Sequence, residues 1–222
     1  MSRVKSDRYD VSGLIEAQFE PGSHRRVLRN LLGITSKRRL DQTEAKAYLS
    51  ALAELIAKYD QHHRFTAGDV RIIHKLWLRN VYAWAGQYRQ VNISKGVFPF
   101  AATKHIPHLM EVFERGPLRR YTPCRFTSTG EIAQAIAIVH VELVLIHPFR
   151  DGNGRAARLL AILMGLQAGL PPLNFGGITG RRRHAYFAAV QAGMREDYQP
   201  MERIFTDVIE RTLRLHAGRL RG

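Results

Sequence analysis

An all-α domain interrupted by a single β-hairpin is the fold class this sequence predicts, on three observations. Residues 132–146 and 154–170 are apolar on nearly every face, the pattern of helices buried at the centre of a domain. Several further segments carry apolar residues at spacings of three and four behind capping residues, the mark of amphipathic helices. Only residues 86–103 hold an alternating stretch with a turn dipeptide inside it, enough for one hairpin.

In chain order, residues 1–40 read as irregular, with Gly13, Pro21-Gly22-Ser23 and the basic clusters Arg25-Arg26 and Lys37-Arg38-Arg39. A helix is expected over 41–59, with Asp41 as N-cap, Glu44 in the capping-box position, and Ala45, Leu49, Leu52, Leu55 and Ile56 as its apolar stripe. A second helix starts at Thr66, with Asp69 in the box position, and runs through Ile72, Ile73, Leu76 and Trp77 towards Val81. Val91-Asn92-Ile93-Ser94, a turn at Lys95-Gly96, and Val97-Phe98-Pro99-Phe100 make the hairpin, with Pro99 marking an edge or an end. A helix over 103–115 and a Pro-rich basic loop over 117–123 follow. Ser128 and Glu131 form a capping box ahead of the first core helix, whose polar residues are Gln134, His140 and Glu142. Helices over 182–195 and 200–216 finish the chain. No repeat or linker divides it, so 1–222 is expected to be one domain with 128–170 as its central helix pair.

Composition bounds the function. The chain has 222 residues, 45% hydrophobic and 24% charged, which is ordinary globular usage and excludes global disorder. A formal net charge of +15 attracts anions: nucleotides, nucleic acid, acidic proteins or anionic lipid. One cysteine, Cys124, excludes an internal disulfide framework and a Cys-rich zinc site. Residues 1–10 are charged and polar, unlike a signal peptide, and the apolar part of 159–180 ends near Leu170, too short for a membrane span. A cytoplasmic protein with no membrane association is expected.

The chemistry concentrates in the loop between the two core helices, His147-Pro148-Phe149-Arg150-Asp151-Gly152-Asn153-Gly154-Arg155-Ala156-Ala157-Arg158. Pro148 ends the first helix, and the glycines allow left-handed turns and close backbone approach. The second helix starts at about Gly154, so its free N–H groups and positive dipole end face back into the loop, where an anion would sit. Arg155 and Arg158 lie three apart on that helix and can face one anion. Asp151 offers one hard carboxylate suited to Mg²⁺ shared with phosphates. His147 titrates near neutrality beside them. A phosphate cradle, a metal carboxylate and a general base together point to nucleotidyl or phosphoryl transfer.

The loop resembles the signature of the Fic-domain family, His-Pro-Phe-x-Asp/Glu-Gly-Asn-Gly-Arg-x-x-Arg, with every defining position filled. Pro21-Gly22-Ser23 with Leu28-x-Asn30, Tyr82-x-Trp84-Ala85-Gly86-x-Tyr88-Arg89, Ile93-Ser94-Lys95-Gly96, Gly169-x-Pro171-Pro172 and Tyr186 extend the likeness across residues 8–213. It is strongest to bacterial Fic or cell filamentation proteins. The resemblance implies a Fic-like helical fold and protein AMPylation: AMP passes from ATP to a Tyr, Thr or Ser hydroxyl of a target protein, and pyrophosphate leaves. It implies that His147 deprotonates the hydroxyl and that Asp151 holds Mg²⁺ between the α- and β-phosphates. The Gly152-Asn153-Gly154 backbone and the Asn153 side chain would bind the α- and β-phosphates, Arg155 the β-phosphate and Arg158 the γ-phosphate. Phe149 would anchor the loop. The hairpin at Lys95-Gly96-Val97-Phe98 would be a flap that takes the target segment as an added strand and touches ATP, and Tyr186 would line the nucleoside pocket.

Doc-like kinases of the family have Lys where this chain has Gly154, which argues against phosphate transfer; transfer of UMP or phosphocholine stays open. Many relatives are inhibited by a Ser/Thr-x-x-x-Glu helix followed by Gly or Asn, whose Glu pairs with the second motif arginine. Here Thr206…Glu210 is followed by Arg211, and Ser12…Glu16, Ser50…Glu54 and Thr127…Glu131 also lack the required next residue. A toxin-like enzyme inhibited in trans by a small antitoxin is therefore expected, with type II topoisomerase subunits as the targets the resemblance suggests. Two rivals are a basic nucleic-acid-binding module, in which the loop is a clamp without chemistry, and an inactive scaffold; neither explains His147 and Asp151 beside the glycines and arginines.

Overall fold

The computed structural model describes residues 13–219 except Val97. Among the described residues, eight α-helical segments, five short 3₁₀ or π turns and one two-stranded antiparallel sheet make up the ordered elements. Residues 13–36 hold only a single 3₁₀ turn and an isolated bridge between Phe19 and Leu28.

Helix α1 spans Lys37–Lys58, and its N-cap is Ser36, whose side chain accepts from the Arg39 N–H. The expected start at Asp41 is one turn late. The Ser36 hydroxyl satisfies a free N–H first, Asp41 pairs with Lys37, and Glu44 is turned inward. The expected apolar stripe shifts with it: Leu40, Glu44, Ala51 and Leu55 are buried, whereas Leu49 and Ile56 are 69% and 42% exposed. What α2 and α6 press against selects the buried face, and that face includes a carboxylate. Helix α2, Ala67–Leu78, opens on the expected box, Thr66 and Asp69 each capping the other's backbone.

Strands β1 (Ser94–Lys95) and β2 (Phe98–Pro99) pair Ser94 with Pro99 and Lys95 with Phe98. The ladder is shorter than the alternating sequence predicts, though Phe100 N–H still donates to Ile93 O. Helix α3 covers Ile106–Phe113. The expected loop at 117–123 is instead mostly helical, through a π turn at Glu114–Leu118 and the three-residue α4, Arg119–Tyr121. The wider turn carries the chain past Pro117, which has no N–H to donate.

Helices α5 (Thr129–Ile146) and α6 (Asn153–Gln167) are the expected core pair, and α5 starts on the Ser128–Glu131 box. By length and composition α5 could cross a membrane; here it packs against α6 and α8 with most of its surface covered. Helices α7 (Arg181–Ala192) and α8 (Gln199–Arg219) close the domain over it. The core thus brackets the 147–152 turn from both sides.

Candidate active site

His147 ends α5 in a left-handed conformation, φ 53° and ψ 57°, and its N–H donates to Leu143 O. Its Nδ1 lies 2.9 Å from the Val144 carbonyl. A carbonyl only accepts, so Nδ1 carries the proton and Nε2 of the neutral ring keeps its lone pair. Burial, assisted by the charges of Arg89 and Lys95 and opposed by Val144 and Asp151, lowers this imidazole from 6.5 to about 4. The Phe100 ring stacks on it at 3.6 Å.

The turn is held from beneath. Phe149 is fully buried, and its ring stacks on His74 at 3.9 Å and 14°. His74 Nδ1 accepts the Gly86 N–H at 2.9 Å, so Nε2 carries the proton that goes to Asp151 O at 3.1 Å. Accepting at Nδ1 needs the neutral ring, and burial, opposed by the bond to Asp151 O, lowers its pKa to about 4. Gly152 has φ 81°, and a Cβ there would lie 2.7 Å from the Trp77 ring, so close approach as well as the turn demands glycine. Arg89 is buried too. Its Nε donates to His147 O at 2.7 Å, its Nη groups to Val91 O and Ala101 O at 2.8 and 2.5 Å, and its backbone N–H to Pro148 O at 2.8 Å. One guanidinium therefore ties both ends of the hairpin segment to the turn.

A cavity of about 940 Å³ opens above the turn. It brings together His147, Asp151, Gly152, Asn153, Gly154, Arg155, Arg158, Lys95, Phe98 and Tyr186 from segments far apart in sequence. Gly96 sits at the hairpin turn with φ 59° and is not among the lining residues; Val97 lies outside the described residues. Glu44 reaches in from α1. It is buried, accepts from Tyr82 Oη at 2.6 Å, and pairs with Arg155 Nη1 at 2.5 Å. Arg155 also lies over the Trp77 ring and 3.4 Å from Asp151, so its direction is fixed. Arg158 lies over Phe175 and Tyr186, and its buried Nε has no hydrogen-bond partner among the described residues. Tyr186 Oη meets His140 Nε2 at 2.7 Å; burial raises the phenol to about 12 and lowers His140 to about 3. Lys95 Nζ sits 3.0 Å from the Phe187 ring centroid and joins β1 to α7.

One expected role changes. The Asn153 side chain is buried and spans the turn, Oδ1 accepting from Phe149 N–H and Nδ2 donating to Phe149 O, both at 2.8 Å. The side-chain amide thus staples the turn, with its oxygen and its nitrogen both engaged on Phe149. Sequence reading missed Arg89, His74 and Glu44 as parts of the site. Arg89 carried a signal in closing the Tyr82–Arg89 stretch of the family likeness, whereas the burial of Glu44 is visible only in the fold.

Among the described residues no carboxylate lies within 4 Å of Arg158. Glu210 pairs with Arg214, Glu54 with Arg79, Glu131 caps α5 and Glu16 accepts from Gln90 N–H; Ser12 lies outside the described residues.

A neutral imidazole and two guanidiniums over a helix N-terminus belong to a transferase that works on nucleotide phosphates. Residues 64–164 match the Fic/DOC family, so this stretch of the chain carries a Fic domain. It is 28% identical over 192 residues to the "Probable protein adenylyltransferase Fic" of Escherichia coli K12, covering 82% of this chain and 88% of that one. It is 27% identical over 206 residues to protein adenylyltransferase fic-1 of Caenorhabditis briggsae, covering 90% of this chain but only 38% of that longer protein. The fold is similar to the N-terminal Fic domain of a Bartonella quintana cell filamentation protein, crystallised with ADP. The TM-score is 0.68 at 25% identity, covering 86% of this chain and 94% of that one.

Proposed function

We propose that this chain is a protein adenylyltransferase. It transfers AMP from ATP to a Tyr, Thr or Ser hydroxyl of a target protein: the hydroxyl oxygen bonds to the α-phosphorus, the bond to the β-phosphate bridging oxygen breaks, and pyrophosphate leaves. The observation that carries this reading is His147, a neutral base with Nδ1–H tied to Val144 and the Nε2 lone pair left to take the hydroxyl proton. Such a base contributes typically 10²- to 10⁴-fold. The α6 N-terminus and Arg158 meet the phosphates, and Arg155, aimed by Glu44, adds charge from the α1 side. Positioning and charge neutralisation dominate such a transfer.

Asp151 fits Mg²⁺ only in company. Its carboxylate is half exposed and touched by Arg155 at 3.4 Å, and no group of three or more ligand side chains gathers among the described residues. One hard carboxylate at a phosphate site suits an ion that keeps waters and takes its other ligands from phosphates. Bound there, Mg²⁺ would neutralise phosphate charge.

The exposed strands of the hairpin offer free edges on which a target segment adds as a strand. An inhibitory antitoxin acting in trans, a type II topoisomerase subunit as target and a cytoplasmic setting belong to the same proposal, supported by the family resemblance. The absence of a carboxylate partner for Arg158 within the described residues favours control from outside the chain.

The test is label transfer to a bacterial lysate and to purified topoisomerase subunits with Mg²⁺, using ATP labelled on the α- or the γ-phosphate. Label should come from the α-phosphate alone and vanish in His147→Ala, which should still bind ATP. Labelling by that variant, or label from the γ-phosphate, would sink the reading. Glu210→Gly should leave the rate unchanged; a strong rise would move the inhibitor into this chain.

A further inference from the structure

A second cavity, of about 290 Å³, shares no residue with the first. It is lined by His62, Arg64, Arg119, Arg120, Thr122, Pro123 and Arg125. Four exposed arginines line it, no acidic residue does, and none of the four lies within 4 Å of a carboxylate among the described residues. Like charges gathered without a counter-charge repel one another, and an anion between them removes that cost.

The walls are also held in place. The 60–66 loop and the 119–125 segment are distant in sequence but bonded together. Phe65 N–H donates to Thr122 Oγ1 at 3.0 Å. Gln167 bridges them as well, donating to His63 O at 2.7 Å and accepting from Cys124 N–H at 3.0 Å. Thr122 Oγ1 donates in turn to Leu118 O at 2.7 Å, so the floor is anchored in the helical segment beneath it. Across the mouth, Arg125 Nη2 donates to His62 Nδ1 at 3.0 Å. Guanidinium N–H groups match phosphate oxygens in a two-pronged geometry, and several together favour a compact, multiply charged anion over a single one. No Phe, Tyr or Trp lines the cavity, and its one imidazole, His62, is engaged by Arg125, so the site favours phosphate over base.

We propose that this cavity binds adjacent phosphates, the di- or oligophosphate group of pyrophosphate, of an inorganic polyphosphate chain or of a nucleotide's phosphate tail. The site is separate from the transferase centre, and its existence does not depend on what is transferred there.

The test is calorimetric titration of the full chain beside Arg119→Ser/Arg125→Ser, with the difference between the two titrations reporting this cavity, since an ATP analogue would offer its phosphate tail to both cavities. Pyrophosphate, tripolyphosphate, ADP and orthophosphate are the probes, with a short DNA duplex as the macromolecular rival. One tripolyphosphate site is expected in the unsubstituted chain that Arg119→Ser/Arg125→Ser weakens. Its affinity should fall at least about tenfold in Arg119→Ser/Arg125→Ser, since each lost charge-assisted contact is worth on that order. An unchanged melting temperature of the ligand-free variant, and unchanged α-phosphate label transfer, separate a lost site from a lost fold. Tighter binding of tripolyphosphate than of ADP would assign the site to the inorganic chain, and the reverse order to a nucleotide's tail. Binding that the double variant leaves intact, orthophosphate bound as tightly as tripolyphosphate, or duplex DNA bound more tightly than either would overturn the proposal.

Discussion

The 147–153 turn and the 94–99 hairpin face each other across one cavity and are built in opposite ways. Polar groups that shape the turn have buried partners: the Val144 carbonyl for the His147 ring, Arg89 for the His147 carbonyl, His74 for the Asp151 carbonyl, and the Asn153 side chain for both sides of Phe149. The hairpin has two residues per strand, mostly exposed, and reaches the rest of the domain through Arg89 at its base and Lys95 on Phe187 near its tip. A reacting centre gains from geometry set before substrate arrives. A surface that accepts a partner's strand needs an open edge, and an open edge cannot be buried. On the function proposed above, chemistry falls to the over-determined turn and partner choice to the loosely held strand pair.

Substitutions at the two regions should therefore differ in kind. The largest effect is expected from Gly152→Val. A side chain at φ 81° and 2.7 Å from Trp77 combines backbone strain with overpacking. Together they should cost about 3 kcal/mol or more, read as a lowered unfolding midpoint, and abolish label transfer. A protein that melts normally and still transfers label would show the turn to be more forgiving than its contacts imply.

Acid should come next. His74, His147 and His140 have folded pKa values lowered to about 4, 4 and 3, below the ordinary 6.5. A buried base with a lowered pKa is neutral in the fold, while the unfolded chain binds the proton. Their contribution is therefore complete above pH about 6.5 and is lost as pH falls towards 4 and then 3. Denaturant unfolding should show this slope, and His74→Gln, which keeps hydrogen-bonding capacity without titrating, should flatten it. Label transfer should have no inflection at pH 6.5, because His147 is already neutral there; an inflection at that pH would mean an ordinary, solvated imidazole.

Lys95→Ala at the hairpin should have the smallest effect. It removes one cation–π contact, worth about 0.5–1 kcal/mol at an exposed site, so KM for the protein target should rise a few-fold with the melting point unchanged. A fall in melting point as large as that of Gly152→Val would erase the distinction between the two regions.

Much of this was readable before any coordinates. The capping boxes at Thr66–Asp69 and Ser128–Glu131 are local signals, and the structure keeps both because a side chain and a backbone three residues away need nothing else to meet. The α5–α6 pair was legible because segments apolar on every face have nowhere to go but the interior. The motif loop was legible because its residues are contiguous. The α1 stripe was misread, since Leu49 and Ile56 look like core residues until α2 and α6 press against the opposite side of the helix.

The sequence by itself determined the chemical inventory: the base, the carboxylate, the two arginines and the glycines, in an order that one turn between two helices can present. Only the tertiary structure decided which of them are free to act. It consumed Asn153 in holding the turn, aimed Arg155 with a glutamate 111 positions away, left Arg158 without a carboxylate partner among the described residues, and chose the tautomer of His147. The physical reason is that a hydrogen bond or ion pair belongs to two groups, and folding alone brings together partners that lie far apart in the chain.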